Sequence, residues 1–235
     1  MASAEITTVV FDIGNVLLDW DPRHLYRQLI DDPDELASFL SQICTPAWHL
    51  AHDLGADIEQ SCRDLAARYP EHERLIMAWA ERGDEMIAGP IDGSVSLLAE
   101  LLAAGHRCLA LSNMEPDRFR RRLAEYSFLQ SFDGYVISGF EGVAKPDPAI
   151  FEILRSRFAL APGAAVFIDD NAANVEAGRA AGLRAIQFTG PAGLRADLAG
   201  LGLIRPAEAP LPALPAQAPQ ALPAAPGWPL PVGAS

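Results

Sequence analysis

Residues 6–20 read ITTVVFDIGNVLLDW. The first six, ITTVVF, form an apolar run of strand length, rich in β-branched residues and closed by a charge at Asp12. Four more runs of this kind follow: CLAL at 108–111, YVI at 135–137, AVFI at 165–168 and AIQF at 185–188. Between them lie helical patterns at 93–104, 117–125, 147–157 and 172–181, and Gly105 provides a stop for the first of these. Strands that alternate with helices predict a parallel sheet covered on both faces.

The span 20–91 breaks this alternation. It shows no convincing strand run and four helical stretches, at 22–30, 33–43, 58–69 and 71–87, with Pro22 and Pro33 in first turns where proline is tolerated. The expected fold is therefore α/β: a Rossmann-like doubly wound parallel sheet with an inserted all-helical cap. Its core is expected over 1–19 and 91–205, and its cap over 20–90. From 206 to 235 the chain has nine prolines, nine alanines and a single charge, Glu208. Proline removes backbone donors and alanine alone builds no core, so this tail is read as disordered with polyproline character.

Composition narrows the function. Half of the 235 residues are hydrophobic, which suits a globular core, and 18 Lys and Arg against 31 Asp and Glu give a net charge of −13. A chain this acidic repels a phosphate backbone and is not expected to bind nucleic acid. No run of eighteen apolar residues marks a membrane span, and no basic region precedes the first apolar stretch. The three separated cysteines, Cys44, Cys62 and Cys108, read as reduced thiols of a cytoplasmic protein.

The chemistry gathers just after the strands. Asp12 follows the first, Ser112 and Asn113 the second, and Asp169 and Asp170 the fourth, while Lys145 precedes a helix in KPDPAIF. An open parallel sheet binds ligands beyond the carboxyl ends of its strands, so these residues are expected at one rim. Carboxylates about 4 Å apart repel by roughly 4 kcal/mol per pair at an effective dielectric near 20. Lys145 offsets one charge, and a hard divalent cation would offset two more. Mg²⁺ fits an all-oxygen site and keeps waters that a phosphate can replace. No Cys/His cluster has zinc spacing.

The four segments FDIGNVL, LSN, KPDPAIF and FIDDNAAN resemble, in order, the four motifs of the haloacid dehalogenase superfamily, over residues 6–190. The helical insertion occupies that family's cap position, and FDIGNV is similar to a subgroup that includes sugar-phosphate phosphatases. The resemblance implies that Asp12 is a nucleophile forming a covalent aspartyl ester. It implies that Ser112 and the Asn113 amide hold phosphate and that Lys145 neutralises charge on Asp12 and the phosphoryl group. Mg²⁺ would lie on Asp12, Asp169, Asp170 and the Gly14 carbonyl. Whether Asp169 or Asp170 binds metal directly stays open, as does the choice between orienting and helix capping for Asn174. Gly14 departs from the family's pattern, in which many phosphatases carry a second aspartate that protonates the leaving alcohol. Asp19, Asp21, a cap residue or water are the candidate substitutes.

Trp20, Trp48, His49, His52 and Asp53 are the cap candidates for facing the site, with cap core or solvated surface as the plainer reading. His49 and His52 lack a third ligand for a metal site. The run Arg118, Arg120, Arg121 and Arg122 reads as a solvated helix face or a second anion site. The leading expectation is a Mg²⁺-dependent phosphatase of a small phosphorylated metabolite, a sugar phosphate among the candidates, acting as a monomer or homodimer. A 2-haloacid dehalogenase and a catalytically silent binding member are the alternatives.

Overall fold

The computed structural model describes residues 5–205, and the expected Ala/Pro-rich tail lies outside them. Seven strands among the described residues form two sheets: β1 (Thr8–Phe11), β2 (Leu18–Trp20), β3 (Ile87–Pro90), β4 (Arg107–Ser112), β5 (Gly134–Ile137), β6 (Ala165–Asp169) and β7 (Arg184–Gln187). The main sheet has five strands in the order β5-β4-β1-β6-β7, every neighbouring pair parallel.

β1 is central and completely buried. Side chains alternate across a strand, so Val9 and Phe11 face one side of the sheet and Val10 the other. On the first side they meet α6 (Asp92–Ala103), α7 (Pro116–Glu125) and α11 (Pro191–Gly200) through Leu97, Leu98, Phe119, Leu123, Leu194 and Leu198. On the second, Val10, Leu109 and Phe167 meet Ile150, Phe151 and Leu154 of α9 (Pro148–Phe158), beside α10 (Ala172–Ala180). The doubly wound sheet follows from apolar residues at both phases of the strand period.

Register sets the rim. Phe11 lies level with Ala110 on β4 and with Ile168 on β6. One residue later, Asp12 stands between the ends of β4 and β6, its amide donating to Ile168 O at 2.9 Å.

Between β2 and β3 come α1 (Pro22–Tyr26), α2 (Pro33–Ser38), α3 (Pro46–Asp53), α4 (Ile58–Arg68) and α5 (Glu73–Glu81). They enclose a separate apolar cluster around Tyr26, Phe39, Ile76 and Trp79. Prolines open α1, α2 and α3, and the side chains of Asp21, Asp32 and Thr45 cap them.

The reading of 20–91 as strandless is corrected at both ends. β2 and β3 pair antiparallel there, Leu18 opposite Pro90, with a register shift at Asp19/Trp20. Strands of three and four residues that end in proline or tryptophan are too short to show a period. The single helix expected at 33–43 is α2 followed by a wider π-turn, Phe39–Ile43. The helix expected at 71–87 runs only over Glu73–Glu81 and gives way to a tighter 3₁₀ turn at Gly83–Met86, glycine being a poor helix former. α3, α11 and the single turn α8 (Ser138–Glu141) were not among the expected helices.

Helix α10 approaches the sheet through a glycine. A Cβ on Gly178 would stand 2.7 Å from Phe167 Cδ1, and the Phe167 ring is itself held edge-on by Phe151 at 5.5 Å. Gly178→Ala is therefore expected to destabilise the fold by about 1–3 kcal/mol. The check is a urea midpoint that falls at unchanged slope; an unchanged or higher midpoint would contradict this packing.

Candidate active site

The strand ends bring together residues far apart in sequence. Asp12 is buried, and its Oδ1 accepts from the Ser112 hydroxyl at 2.7 Å and from the Ile13 amide at 2.7 Å. Lys145 Nζ lies 2.9 Å from Asp12 Oδ2 and 2.6 Å from Asp169 Oδ2, and it donates to Leu111 O at 2.9 Å. One buried ammonium thus joins β1, β4 and β6. Asn113 fixes the lysine's backbone: its Nδ2 donates to Lys145 O at 2.9 Å and its Oδ1 accepts from Lys145 N at 2.8 Å.

Asp169 is completely buried. Its Oδ1 accepts from the Asn171 amide at 2.9 Å and from Asn174 Nδ2 at 3.0 Å. Asn174 therefore orients Asp169, while Asn171 caps α10. Asp170 is half-buried and opens to the cavity with Gly14. A Cβ built on Gly14 meets nothing within 4 Å, so open space stands where many relatives of the motif place an acid.

Charge is unbalanced here. Carboxylate oxygens of Asp12, Asp169 and Asp170 lie within 4.8 Å of one another, facing the single ammonium of Lys145. Burial pushes the Asp12 carboxyl up to about 7, with the Asp169 charge adding to it and Lys145 opposing. Burial and Asp169 also raise Asp170. Burial works against the Lys145 charge, but Asp12 and Asp169 outweigh it and hold the ammonium above the ordinary lysine range. The donor set is all oxygen, anionic and pre-assembled, which suits a hard divalent cation such as Mg²⁺.

A cavity of about 270 Å³ covers the rim. Asp12, Ser112 and Asn113 form its floor, and Trp20, His49, His52 and Asp53 line it from the helical segment. Trp48 does not reach the cavity; it packs on Trp79 and His52, with ring centroids 5.2 and 4.4 Å away. Asp19 and Asp21 are also absent from the wall, Asp19 contacting His24 and Asp21 capping α1. The basic run divides. Arg118 and Arg122, four apart on α7, turn inward to the cavity wall. Arg118 Nη2 donates to Trp79 O at 3.0 Å, and the buried Arg122 pairs with Asp84 and Glu125. The i, i+4 spacing of these two arginines was the signal for a shared face. Glu115, which caps α7, and Asn15 also line the cavity and were not singled out from sequence.

Comparison with known proteins gives a consistent picture. Residues 6–182 match the family model for haloacid dehalogenase-like hydrolases. A sesquiterpene phosphatase of Aspergillus oryzae is 25% identical over 192 residues, covering 77% of this chain and 88% of that one. A phosphoserine phosphatase of Thermus thermophilus is 35% identical over 92 residues, only 39% of this chain and 37% of that one. Among solved structures, a haloacid dehalogenase-family enzyme of Bacteroides thetaiotaomicron, a mutant in complex with magnesium and inorganic phosphate, superposes with a TM-score of 0.60. The match covers 79% of this chain and 95% of that one at 17% identity. The L-2-haloacid dehalogenase of Xanthobacter autotrophicus gives a TM-score of 0.56 at 20% identity, covering 77% of each chain.

Asp53 supplies a test of these electrostatics by stability alone. Burial raises its carboxyl from 3.8 to about 7, Glu115 adding to the rise and Arg118 and Lys145 opposing it. Below its unfolded value the proton is bound in both states; above it the folded chain keeps a proton that the unfolded chain has released. Stability is thereby lost as pH rises through about 7. Asp53→Asn, always neutral, is expected to gain on the wild type by about 1 kcal/mol per pH unit between pH ~5 and ~7, and to level off above. Urea unfolding across this range reads the difference, and a pH-independent difference would contradict the assignment.

Proposed function

The chain belongs to the haloacid dehalogenase-like hydrolases, and from that premise we propose that it is a Mg²⁺-dependent phosphatase of a small phosphorylated metabolite. The observation that carries this reading is the placement of Asp12 beneath the cavity, held by Ser112 and Lys145 against the Asp169/Asp170 pair. We treat residues 20–90 as a cap that closes over a core made of 1–19 and 91–205. The two phosphatases among the relatives, and the phosphate held by a structural neighbour, support the choice of a phosphoryl group.

The proposed roles follow from the contacts. Asp12 attacks phosphorus through the carboxylate oxygen that Ser112 leaves free, and an aspartyl phosphate forms as the leaving oxygen departs. Ser112 and the Asn113 amide hold the phosphoryl oxygens. Lys145 balances charge on Asp12 and on the transferring group, its backbone fixed by Asn113. Asp12, Asp169, Asp170 and the Gly14 carbonyl would hold Mg²⁺, which supplies charge neutralisation at the phosphoryl oxygens. Asn174 keeps Asp169 in orientation for this. Water then attacks the aspartyl phosphate and regenerates Asp12. The cavity, about 270 Å³, has room for a small metabolite, which supports a small substrate.

One observation favours a second reading. The open space at Gly14 suits a leaving group that needs no proton, as halide does from a 2-haloacid. Against it stands the Asp169/Asp170 pair, which suits a cation that halide displacement does not need. No helix among the described residues is long and apolar enough to cross a membrane. The three cysteines are free and buried, which supports a reducing compartment such as the cytoplasm.

Phosphate release from p-nitrophenyl phosphate and a panel of sugar phosphates tests the reading. Release is expected with Mg²⁺, with loss to background in EDTA or in Asp12→Asn. Halide release from 2-haloacids, with no phosphate release under any condition, would replace it with the dehalogenase.

A further inference from the structure

A phosphatase that lacks a side chain at Gly14 needs another proton donor for an alkoxide leaving group. Donation in the cavity requires a group that reaches it, is not consumed by structural bonds, and carries a proton near neutral pH. Few residues meet all three conditions. Asp19 and Asp21 do not reach the cavity. Glu115 spends both carboxylate oxygens on the Asp117 and Arg118 amides. Asp84 is exposed and paired with Arg122. His49 and His52 reach the cavity, but burial and the Arg118 charge lower them to about 3 and about 4, which favours neutral imidazoles over proton donors. Asp53 remains.

We propose that Asp53, at the end of α3, is the general acid and base of this active site, replacing the group absent at Gly14. Three features place it. Its side chain lines the cavity that Asp12 floors and is only 15% exposed. Its ion-pair contact with His49 Nε2 is long, at 3.6 Å, and burial favours the neutral form of that ring, which stacks on Trp20. Its backbone is fastened to the phosphate-binding floor. The buried Ser138 hydroxyl donates to Asp53 O and accepts from the amide of Met114, the residue after Asn113, at 3.0 Å.

The junction is built for close approach. Gly55, with φ at +96°, brings its backbone so near α8 that a Cβ would lie 2.9 Å from Gly139 O. A Cβ on Gly139 would lie 2.8 Å from Met114 O. Two glycines therefore let the end of a cap helix sit directly on the floor loop, and Asp53 moves with it. The charges that act on its carboxyl are Arg118 on α7, Glu115 at its cap and Lys145 below, and burial prevails over them to raise it to about 7.

This assignment rests on the phosphatase reading, and its chemistry is as follows. As Asp12 Oδ bonds to phosphorus and the bond from phosphorus to the leaving oxygen breaks, Asp53 gives its proton to that oxygen, and a neutral alcohol leaves. The Asp53 carboxylate then takes a proton from water as the water oxygen attacks the aspartyl phosphate. The bond from Asp12 to phosphorus breaks, phosphate departs, and Asp53 is protonated again. No further reactant is consumed.

The experiment is kcat/KM across aryl phosphates of similar shape, from p-nitrophenyl to p-methoxyphenyl phosphate, for wild type and Asp53→Asn with Mg²⁺. An acid matters more as the leaving group worsens. The loss in Asp53→Asn is therefore expected to be at least about 10-fold greater for p-methoxyphenyl than for p-nitrophenyl phosphate, a part of the ~10²–10⁴ such groups supply. Asp53→Glu is expected to restore the shallow dependence. Equal losses across the series would overturn the assignment and make Asp53 a structural residue. Wild type that releases no phosphate from any of the series would overturn the phosphatase reading itself. The wild type alone gives a second readout, independent of variant folding. Its kcat/KM should fall above neutral pH for p-methoxyphenyl phosphate relative to p-nitrophenyl phosphate, and superimposable profiles would refute the proposal.

Discussion

The buried ammonium of Lys145 is the contact on which the rest of the site depends. It holds Asp12 and Asp169 together across the central strands and ties both to the Leu111 carbonyl. A buried charge left without its partner is strongly unfavourable, on the order of 3–5 kcal/mol. The register of β4, β1 and β6 and the loop that carries Lys145 are therefore constrained by one atom. The Asn113 side chain answers the same demand from the other end by gripping the lysine's backbone. Even so, three carboxylates face one cation, and the Asp12 carboxyl is pushed up to about 7 by burial first and by Asp169 second. The rim is built with more negative charge than the protein itself neutralises, and a site of oxygen donors in that state favours a divalent cation.

Neutralisation below is matched by enclosure above. The helical segment has its own apolar cluster around Trp79, so it can hold its shape while resting on the core at few points. One such point is the glycine junction between Gly55 and Gly139, where Ser138 joins the end of α3 to the loop after Asn113. Another is Arg118, which leaves the core helix α7 to donate to Trp79 O. Its charge helps hold His49 and His52 neutral, burial being the larger cause. The cavity thus presents neutral imidazoles and aromatic faces above an anionic floor.

Much of this was legible in the sequence because it is local. Asp12, Ser112 and Asp169 each end an apolar strand run, and strand ends of a parallel sheet must meet. The Lys145 placement followed from its motif. What escaped the reading was set by distance rather than by local pattern. β2 and β3 are three and four residues long and exist because each pairs with the other across the whole helical segment. α3 opens at Pro46 and carries two histidines and a tryptophan, so its face shows no simple apolar period until Trp79 is known to cover it. The basic run on α7 looked like one solvated surface. Only the cap's position separates Arg118 and Arg122, turned inward, from Arg120, which pairs with the exposed Asp117. Asn174 was read as either an orienting or a capping residue, and Asn171 takes the cap and leaves Asn174 to Asp169.

The glycine at position 14 changes where control of the reaction resides. An acid two residues after the nucleophile would belong to the core and would be in place whether or not the helical segment were docked. Here that position is open space. An acid carried by α3 is in place only while the Ser138 and Gly139 junction is made. Burial beneath the helical segment raises its carboxyl to about 7. Placement of the segment and protonation of the acid then depend on the same contacts.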